Sequence, residues 1–207
     1  MILSDTPKIQ AFNIDCMEFM KDKPDNYYDL AIVDPPYGIG DKFKSGVNSK
    51  MNFKEIPQKG WDLAPTNEYF AELLRASRNQ IIWGGNYFDL PPTRCFVVWD
   101  KLISVDFSLA MCEYAWTSFD KIAKIYKLSN HGDRIHPTQK PVKLYRWLLS
   151  NYAKPNDKIL DTHGGSFSSA IACHMEGFDL DICELDEDYF NDAVKRFKLN
   201  TIQEKLF

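Results

Sequence analysis

Blocks of apolar residues separated by turn residues predict strands and helices in regular succession along the chain. Short apolar runs bounded by turn residues indicate buried strands, and they fall at 8–14, 30–33, 80–83, 95–99, 158–161 and 179–184. Apolar residues at helical spacing indicate amphipathic helices, at 15–21, 65–78, 141–152, 168–176 and 188–199. Two weaker strand patterns cover 113–118 and 122–128. This succession favours an α/β fold with a doubly wound, mostly parallel sheet.

The strand at 30–33 is followed by Asp34-Pro35-Pro36-Tyr37. Proline has no N–H to donate to a sheet, and it pushes the residue before it out of the helical region. Asp34 and Tyr37 are therefore expected on a stiff turn at the carboxyl end of a strand, where open α/β sheets bind ligands. We expect the Tyr37 ring to be fixed and exposed. A turn-capping carboxylate and a core aromatic ring are the alternatives.

A glycine-containing loop follows the strand at 158–161 and reads Asp161-Thr162-His163-Gly164-Gly165-Ser166-Phe167-Ser168. Glycine lets the backbone approach a ligand closely. Glu184 ends the next strand, and a carboxylate there can accept hydrogen bonds from ribose hydroxyls. The loop lacks the GxGxxG pattern and the P-loop lysine. With acidic residues on both sides, it suits a ligand that carries a ribose and a positive charge, although a purely structural turn is the alternative.

Composition limits the class of protein further. A chain of 207 residues with 44% hydrophobic and 26% charged residues is expected to fold as one domain, 1–207. Five cysteines without a CxxC pair favour a reduced, intracellular compartment. We expect neither a signal peptide nor a membrane span. The histidines match no zinc spacing, so no metal is expected.

Charge is unevenly distributed along the chain. The net charge is −4, but it is +3 over 41–60, +4 over 101–150 and −5 after Ser150. Two basic segments on an acidic body can form a basic face, and lysine-rich solvated loops are the alternative. Because 41–60 has little apolar periodicity, we expect a long functional or mobile loop there.

Four further motifs are collinear with the tetrapeptide and the glycine loop. They are Asn13-Ile14-Asp15-Cys16, Trp83-Gly84-Gly85-Asn86-Tyr87, Val98-Trp99-Asp100-Lys101 and His136-Pro137-Thr138-Gln139-Lys140-Pro141. Together, over about 9–198, the set resembles the S-adenosylmethionine-dependent amino-methyltransferases of DNA. Because the tetrapeptide precedes the glycine loop, the chain resembles the permuted β group of that family. This implies a Rossmann-like methyltransferase fold with its cofactor half at the C-terminus. It also implies a restriction–modification role and a location in the cytoplasm of a bacterial or phage-infected cell.

The resemblance also implies roles for individual residues. The catalytic residues would be Asp34, Pro35, Pro36 and Tyr37, with Tyr37 stacking on a flipped base. The S-adenosyl-L-methionine site would comprise Asp15, Cys16, Asp34, His136, Lys140, Asp161, His163, Gly164, Gly165, Ser166 and Glu184. Within that set, Glu184 would bind the ribose, and Asp15 with the Cys16 backbone would meet the adenine. From the charge pattern, in addition, we expect the basic insertions 41–60 and 102–135 to contact DNA phosphates, through Lys42, Lys44, Lys121, Lys124 and Lys127.

Aspartate at the first tetrapeptide position implies N6-adenine as the target, with N4-cytosine as the alternative. The glycine loop departs from the family pattern at Thr162, His163, Phe167 and Ser168. If position 167 requires a positive φ, a phenylalanine there costs free energy. A relic that binds DNA or cofactor with impaired catalysis is therefore a competing hypothesis, and an RNA or protein methyltransferase is a third. Because the chain is small, a homodimer or a partner subunit would supply target recognition.

Overall fold

In a computed structural model, residues 1–39, 63–104, 110–129 and 139–202 are described. They form a nine-stranded sheet with helices on both faces. The strands are β1 (Ile2–Asp5), β2 (Lys8–Asn13), β3 (Tyr28–Val33), β4 (Ser77–Trp83), β5 (Phe96–Asp100), β6 (Cys112–Thr117), β7 (Lys124–Lys127), β8 (Lys158–Asp161) and β9 (Asp179–Glu184). The helices are α1 (Cys16–Lys21), α2 (Asn67–Ala76), α3 (Val142–Tyr152), α4 (Ser168–Glu176) and α5 (Glu187–Ile202). Within the described ranges, no helix has the length and apolar character needed to cross a membrane.

The sheet is mostly parallel, and its strand order is β1-β2-β9-β8-β3-β4-β6-β5-β7. The central strands β2, β9, β8, β3 and β4 run parallel. β1 pairs antiparallel with β2, and β6 runs antiparallel between β4 and β5. The predicted fold class, with the β8–α4–β9 unit towards the C-terminus, is confirmed.

Two apolar layers enclose the sheet, and β3 contributes to both. Leu30 and Ile32 face the layer that contains α3, α4 and α5. Ala31 and Val33 face the layer formed with α1 and α2. A strand buried on both faces must be apolar throughout, which explains why β3 is an unbroken apolar run up to Asp34.

Several element boundaries differ from those expected. β1 was not predicted, and it pairs as an extra edge strand with β2. The helix expected to reach 78 ends at Ala76, and the chain enters β4 directly at Ser77. The Ser77 hydroxyl donates to the Leu73 carbonyl (2.6 Å) and so satisfies an acceptor of the last turn.

The predicted insertions are only partly described. The whole of 41–60 lies outside the described residues, as do 105–109 and 130–138. Within the rest of 102–135, both weaker strand patterns are confirmed as β6 and β7. That segment therefore extends the main sheet.

Candidate active site

The tetrapeptide and the glycine loop meet at the carboxyl edge of the sheet. β3 pairs in parallel with β8, Leu30 opposite Ile159 and Ala31 opposite Leu160. Asp34, which follows β3, and Asp161, which ends β8, therefore lie at neighbouring strand ends. Because β9 adjoins β8 in parallel, Glu184 lies at the same edge.

Both carboxylate oxygens of Asp34 have partners. The Tyr37 hydroxyl donates to Oδ1 (2.7 Å), and the Lys140 ammonium forms an ion pair with Oδ2. Burial raises the pKa of Asp34 above its usual value, and the charge of Lys140 opposes that rise. The side chain remains 16% exposed, so it is reachable from the carboxyl edge.

Lys140 lies at the centre of a cluster of charges. It precedes α3, its side chain is 3% exposed, and its ammonium is 3.0 Å from Glu113 Oε2. Glu113 lies near the start of β6, and its other oxygen is 2.6 Å from the Lys101 ammonium. Burial alone would raise the pKa of Glu113, but the ammonium groups of Lys140 and Lys101 outweigh it and lower that pKa to about 2. Glu113 is therefore a carboxylate at every physiological pH.

The Tyr37 ring is fixed but half-buried. It stacks on Tyr87 with centroids 5.0 Å apart and planes 17° from parallel. A Cβ added at Gly84 would lie 2.2 Å from the ring, so only glycine lets this backbone pass so close. The expectation of an exposed Tyr37 ring is therefore wrong, because Gly84 and Tyr87 cover it. Tyr87 is 49% exposed and presents the open aromatic face.

Two carboxylates brace the glycine loop. Asp161 accepts from the His163 N–H (3.0 Å) and from the Ser169 hydroxyl (2.5 Å), and burial raises its pKa to about 7. Glu184 accepts from the N–H groups of Gly165 (2.8 Å) and Asp186 (2.9 Å). Burial also raises the pKa of Glu184. A negative carboxylate thus faces each side of the loop at alkaline pH.

Phe167 has a positive φ of 58°, the condition under which the sequence predicts strain. Its ring is fully buried and packs edge-on against Phe190 of α5, with centroids 5.8 Å apart. The ring also occupies the space where a Cβ at Gly164 would lie, 2.6 Å away. A Cβ at Gly165, by contrast, would meet nothing within 4 Å. The bulky side chain therefore fills the core and leaves the loop open at Gly165.

Three further candidate cofactor residues, Asp15, Cys16 and His163, lie around this loop. Asp15 caps α1 by accepting from the Met17 N–H (2.8 Å). Burial raises the pKa of the adjacent Cys16 to about 12, so its thiol stays protonated. Burial lowers the pKa of His163 to about 4, so its ring is neutral near pH 7, with Nδ1 2.9 Å from Thr162 Oγ1. His136 lies outside the described residues.

The candidate DNA-contacting lysines occupy opposite edges of the sheet. Lys127 ends β7, opposite Asp100 of the parallel strand β5, and lies at the carboxyl edge. Lys121 and Lys124 precede or begin β7, and both donate to Asn151 near the end of α3. The fold therefore brings Lys127 to the edge that holds Asp34, and places Lys121 and Lys124 at the amino edge. Lys42 and Lys44 lie outside the described residues.

Comparison with known proteins shows the family to which the chain belongs. The model of the family described as DNA methylase, which covers N6 and N4 methyltransferases, matches residues 44–195. The chain belongs to this DNA methylase family. S-adenosyl-L-methionine is the methyl donor of the family. The match includes the glycine loop and Glu184 and begins after Asp34–Tyr37, so the role of the tetrapeptide rests on its own geometry.

Individual proteins are similar to this methylase in sequence or in fold. YubD of Escherichia coli (strain K12), a protein named as a methylase, is 24% identical over 208 residues, which is 88% of this chain and 87% of YubD. The solved M1.HpyAVI–SAM complex has 22% identity and a TM-score of 0.62, over 91% of this chain and 99% of that chain. TTHA0409 of Thermus thermophilus, complexed with S-adenosyl-L-methionine, has 14% identity and a TM-score of 0.60, over 93% and 94%. PvuII DNA methyltransferase, which is cytosine-N4-specific, has 13% identity and a TM-score of 0.61, over 94% and 92%.

Sequence reasoning missed three polar residues of the methylase site. Glu113 was visible only as the first residue of a weak strand pattern, and Lys101 only as the end of a motif. Arg196 of α5 donates to the Ser166 carbonyl (2.6 Å) and to the Ser168 hydroxyl (3.1 Å), and so ties the last helix to the glycine loop. No local pattern distinguishes these residues from surface charges, because their partners are distant in the sequence.

Proposed function

We propose that the methylase transfers a methyl group from S-adenosyl-L-methionine to the exocyclic N6 amine of adenine in DNA, after the base is flipped out of the duplex. One observation carries the proposal: the reachable carboxylate of Asp34 lies at the strand end beside the glycine loop. A base held at Asp34 and a donor held at the loop are thereby neighbours. Holding the reactants within about 3–3.5 Å is the main contribution expected of such a site.

The chemistry assigned to the tetrapeptide follows from the nature of the amine. An exocyclic amine is a poor nucleophile, because its lone pair is delocalised into the ring. Asp34 accepts one of its N–H groups and the Pro35 carbonyl accepts the other, which draws the nitrogen towards tetrahedral geometry. Positive charge then develops on the nitrogen, and the Asp34 carboxylate stabilises it. After transfer the donor would leave as the neutral thioether S-adenosyl-L-homocysteine, and the amine would pass its extra proton to the Asp34 carboxylate and then to solvent.

The residues of the glycine loop suit the proposed donor. When bound, S-adenosyl-L-methionine supplies an activated methyl group on a positively charged sulfur. Gly165 and Ser166 would hold its methionine part, where the loop has open space, and Asp161 supplies a nearby negative charge once it is ionised, above about pH 7. Glu184 uses one acceptor position of each oxygen on backbone N–H groups, so it retains acceptor capacity for ribose hydroxyls. Asp15 and Cys16 would meet the adenine of the cofactor.

Base flipping is proposed because the target amine is out of reach inside a duplex. The extruded base would stack on the Tyr37–Tyr87 pair, where Tyr87 offers the open face. Aspartate at position 34 favours adenine by the family resemblance. N4-cytosine remains the second candidate, since the same fold occurs in the cytosine-N4-specific PvuII enzyme.

The proposal is tested by incubating the protein with methyl-labelled S-adenosyl-L-methionine and mixed-sequence DNA, followed by nucleoside analysis. N6-methyladenine is expected. Asp34→Asn, which keeps the shape but removes the charge, is expected to lower the rate on the order of 10²–10³-fold. N4-methylcytosine would replace the adenine assignment, and unimpaired transfer by the Asp34→Asn variant would contradict the mechanism. If the protein forms no product and binds no cofactor, the competing hypothesis of a catalytically impaired relic of the family would be favoured.

Target recognition is proposed to involve more than the described residues. Homodimerisation or a partner subunit would add DNA-contacting area to this small chain. A restriction–modification role and a cytoplasmic location stay predictions. Sedimentation of the protein with and without a DNA duplex tests homodimerisation. A monomer bound to one duplex would contradict it.

A further inference from the structure

The ammonium of Lys140 lies between two carboxylates, and nothing in the proposed methyl transfer uses the second one. Its partners are Asp34 Oδ2 and Glu113 Oε2, and it also donates to the Tyr37 hydroxyl (3.2 Å). Trp83, which is fully buried, lies beneath the ammonium at 5.2 Å from the ring centroid. An ammonium so enclosed has a fixed position, and three elements far apart in the sequence define it.

Two carboxylates sharing one ammonium have a different effect from a simple ion pair. If Lys140 faced Asp34 alone, its charge would cancel the negative charge that the target amine requires. Glu113 divides that ammonium between two acceptors, and its other oxygen is held by Lys101 at 2.6 Å. Asp34, Glu113 and Lys140 together carry one net negative charge, and Lys101 contacts this group only through the other oxygen of Glu113. Lys140 therefore does not fully neutralise Asp34, whose carboxylate can stabilise a developing cation.

We propose that Glu113 is a positioning residue for methyl transfer, which acts through Lys140 and holds the ammonium where it orients Asp34 without neutralising it. The inference rests on the proposed function and assigns a role outside the tetrapeptide and the cofactor loop. Lys101 is the second cationic partner of Glu113 and holds its carboxylate in place. Glu113 itself does not touch the target base.

Asp34 is faced by charged or titratable groups from every element described around it. These are Tyr37 on its own turn, Glu113 of β6, Lys140 and Tyr145 at α3, and Asp161 of β8. Among them Lys140 is the cation in contact with Asp34, and Glu113 is the anion that shares it. Removing Lys140 should therefore raise the pKa of Asp34, whereas removing Glu113 should lower it.

The test compares Glu113→Gln with Lys140→Met. In Glu113→Gln the ammonium is left to Asp34 alone, so the pKa of Asp34 falls and the acid limb of the kcat–pH profile moves to lower pH. The Asp34 carboxylate stays ionised, but the Lys140 ammonium now balances its charge, so it stabilises the developing cation less. We therefore expect kcat to fall about tenfold and KM for S-adenosyl-L-methionine to stay unchanged. In Lys140→Met the buried Asp34 carboxylate loses its cation, so the acid limb of the kcat–pH profile should move to higher pH, by about 1–3 pH units.

Lys158→Met is the matched control, because it removes a lysine from another ion pair of the same sheet, with Asp181 at 3.0 Å. It should leave the acid limb unmoved. Carbon-13 NMR of the Asp34 carboxyl carbon, assigned with Asp34→Asn, measures the same shifts without turnover. Thermal unfolding identifies any variant that has lost its fold.

The outcomes separate the two proposals. Failure of the wild-type protein to transfer methyl groups would overturn the proposed function, whereas the NMR titration would still test the cluster. Opposite movement of the two variants supports the positioning role. If Glu113→Gln behaves like the wild type, or if both variants move in the same direction, the inference is overturned.

Discussion

Phe167 shows how one side chain can offset an unfavourable backbone conformation. Its φ of 58° is unfavourable for a residue with a Cβ by about 1–2 kcal/mol. Burying a phenylalanine ring is worth about 3–5 kcal/mol by truncation to alanine. The packing against Phe190 therefore outweighs the strain, which explains why glycine is not required at this position.

This balance predicts an unusual order of stability for two variants. Phe167→Ala loses the ring and keeps the strain, whereas Phe167→Gly loses both. Phe167→Gly should therefore destabilise the protein by about 1–4 kcal/mol, and Phe167→Ala by about 3–5 kcal/mol, with the alanine variant the less stable of the two. Urea unfolding measures both. A glycine variant less stable than the alanine variant would contradict a strained backbone at this position.

The exposed ring of Tyr87 is the proposed stacking surface for the flipped base. Stacking of one base on an aromatic ring is worth about 1–3 kcal/mol, so Tyr87→Ala should weaken binding of a flipped base by about 5–150-fold. A duplex with 2-aminopurine at the target position reports flipping by its fluorescence. Tyr27→Ala, at an exposed tyrosine that precedes β3, is the control. Equal flipping by the two variants would move the stacking role away from Tyr87.

The strands decide which lysines can reach the DNA proposed as substrate. Lys127→Glu, at the carboxyl edge, should reduce the slope of log binding constant against log salt by about 0.9 or more, since a phosphate contact is lost. Lys121→Glu, at the amino edge, should leave the slope unchanged. Fluorescence anisotropy over a salt series measures both slopes. A larger change for Lys121→Glu would place the DNA on the opposite edge.

Apolar periodicity could predict the strands that carry the site. β3, β8 and β9 are buried strands with turn residues at their ends, so Asp34, Asp161 and Glu184 were identifiable from the residues that follow or end them. β6 could not be read in the same way, because it inserts antiparallel between β4 and β5. That insertion brings Glu113 to the site, and it depends on pairing rather than on local sequence. The Tyr37 ring was misjudged for a related reason, since its cover comes from Gly84 and Tyr87.

The stability of the whole molecule is expected to depend on the protonation of Asp161. Its pKa is about 7 in the folded protein, above the ordinary value near 4. Between those values the folded state holds a proton that the unfolded state has lost, so stability falls as pH rises through this window. Above pH 7 both states are ionised and the loss is complete.

Asp161→Asn is expected to remove this pH dependence. The asparagine oxygen can accept from the His163 N–H, and its amide can donate to the Ser169 hydroxyl, so both bonds are preserved. The variant should gain stability relative to the wild type from pH 4 to 7, on the order of 1 kcal/mol per pH unit, and the difference should then be constant. Chemical unfolding at several pH values measures it. A difference that does not change with pH would contradict the raised pKa.

The strand order also governs when the site can come into existence during folding. The β2–β9 and β3–β8 pairings join segments about 171 and 129 positions apart, as the bonds from Lys8 to Asp179 and from Lys158 to Asp29 show. Closing such long loops is slow compared with forming local contacts. A growing chain therefore completes Asp34–Tyr37 early, but the glycine-loop half of the site is incomplete until β8, β9 and Arg196 are made. Methyl transfer is thus a property that only the finished, folded chain can acquire.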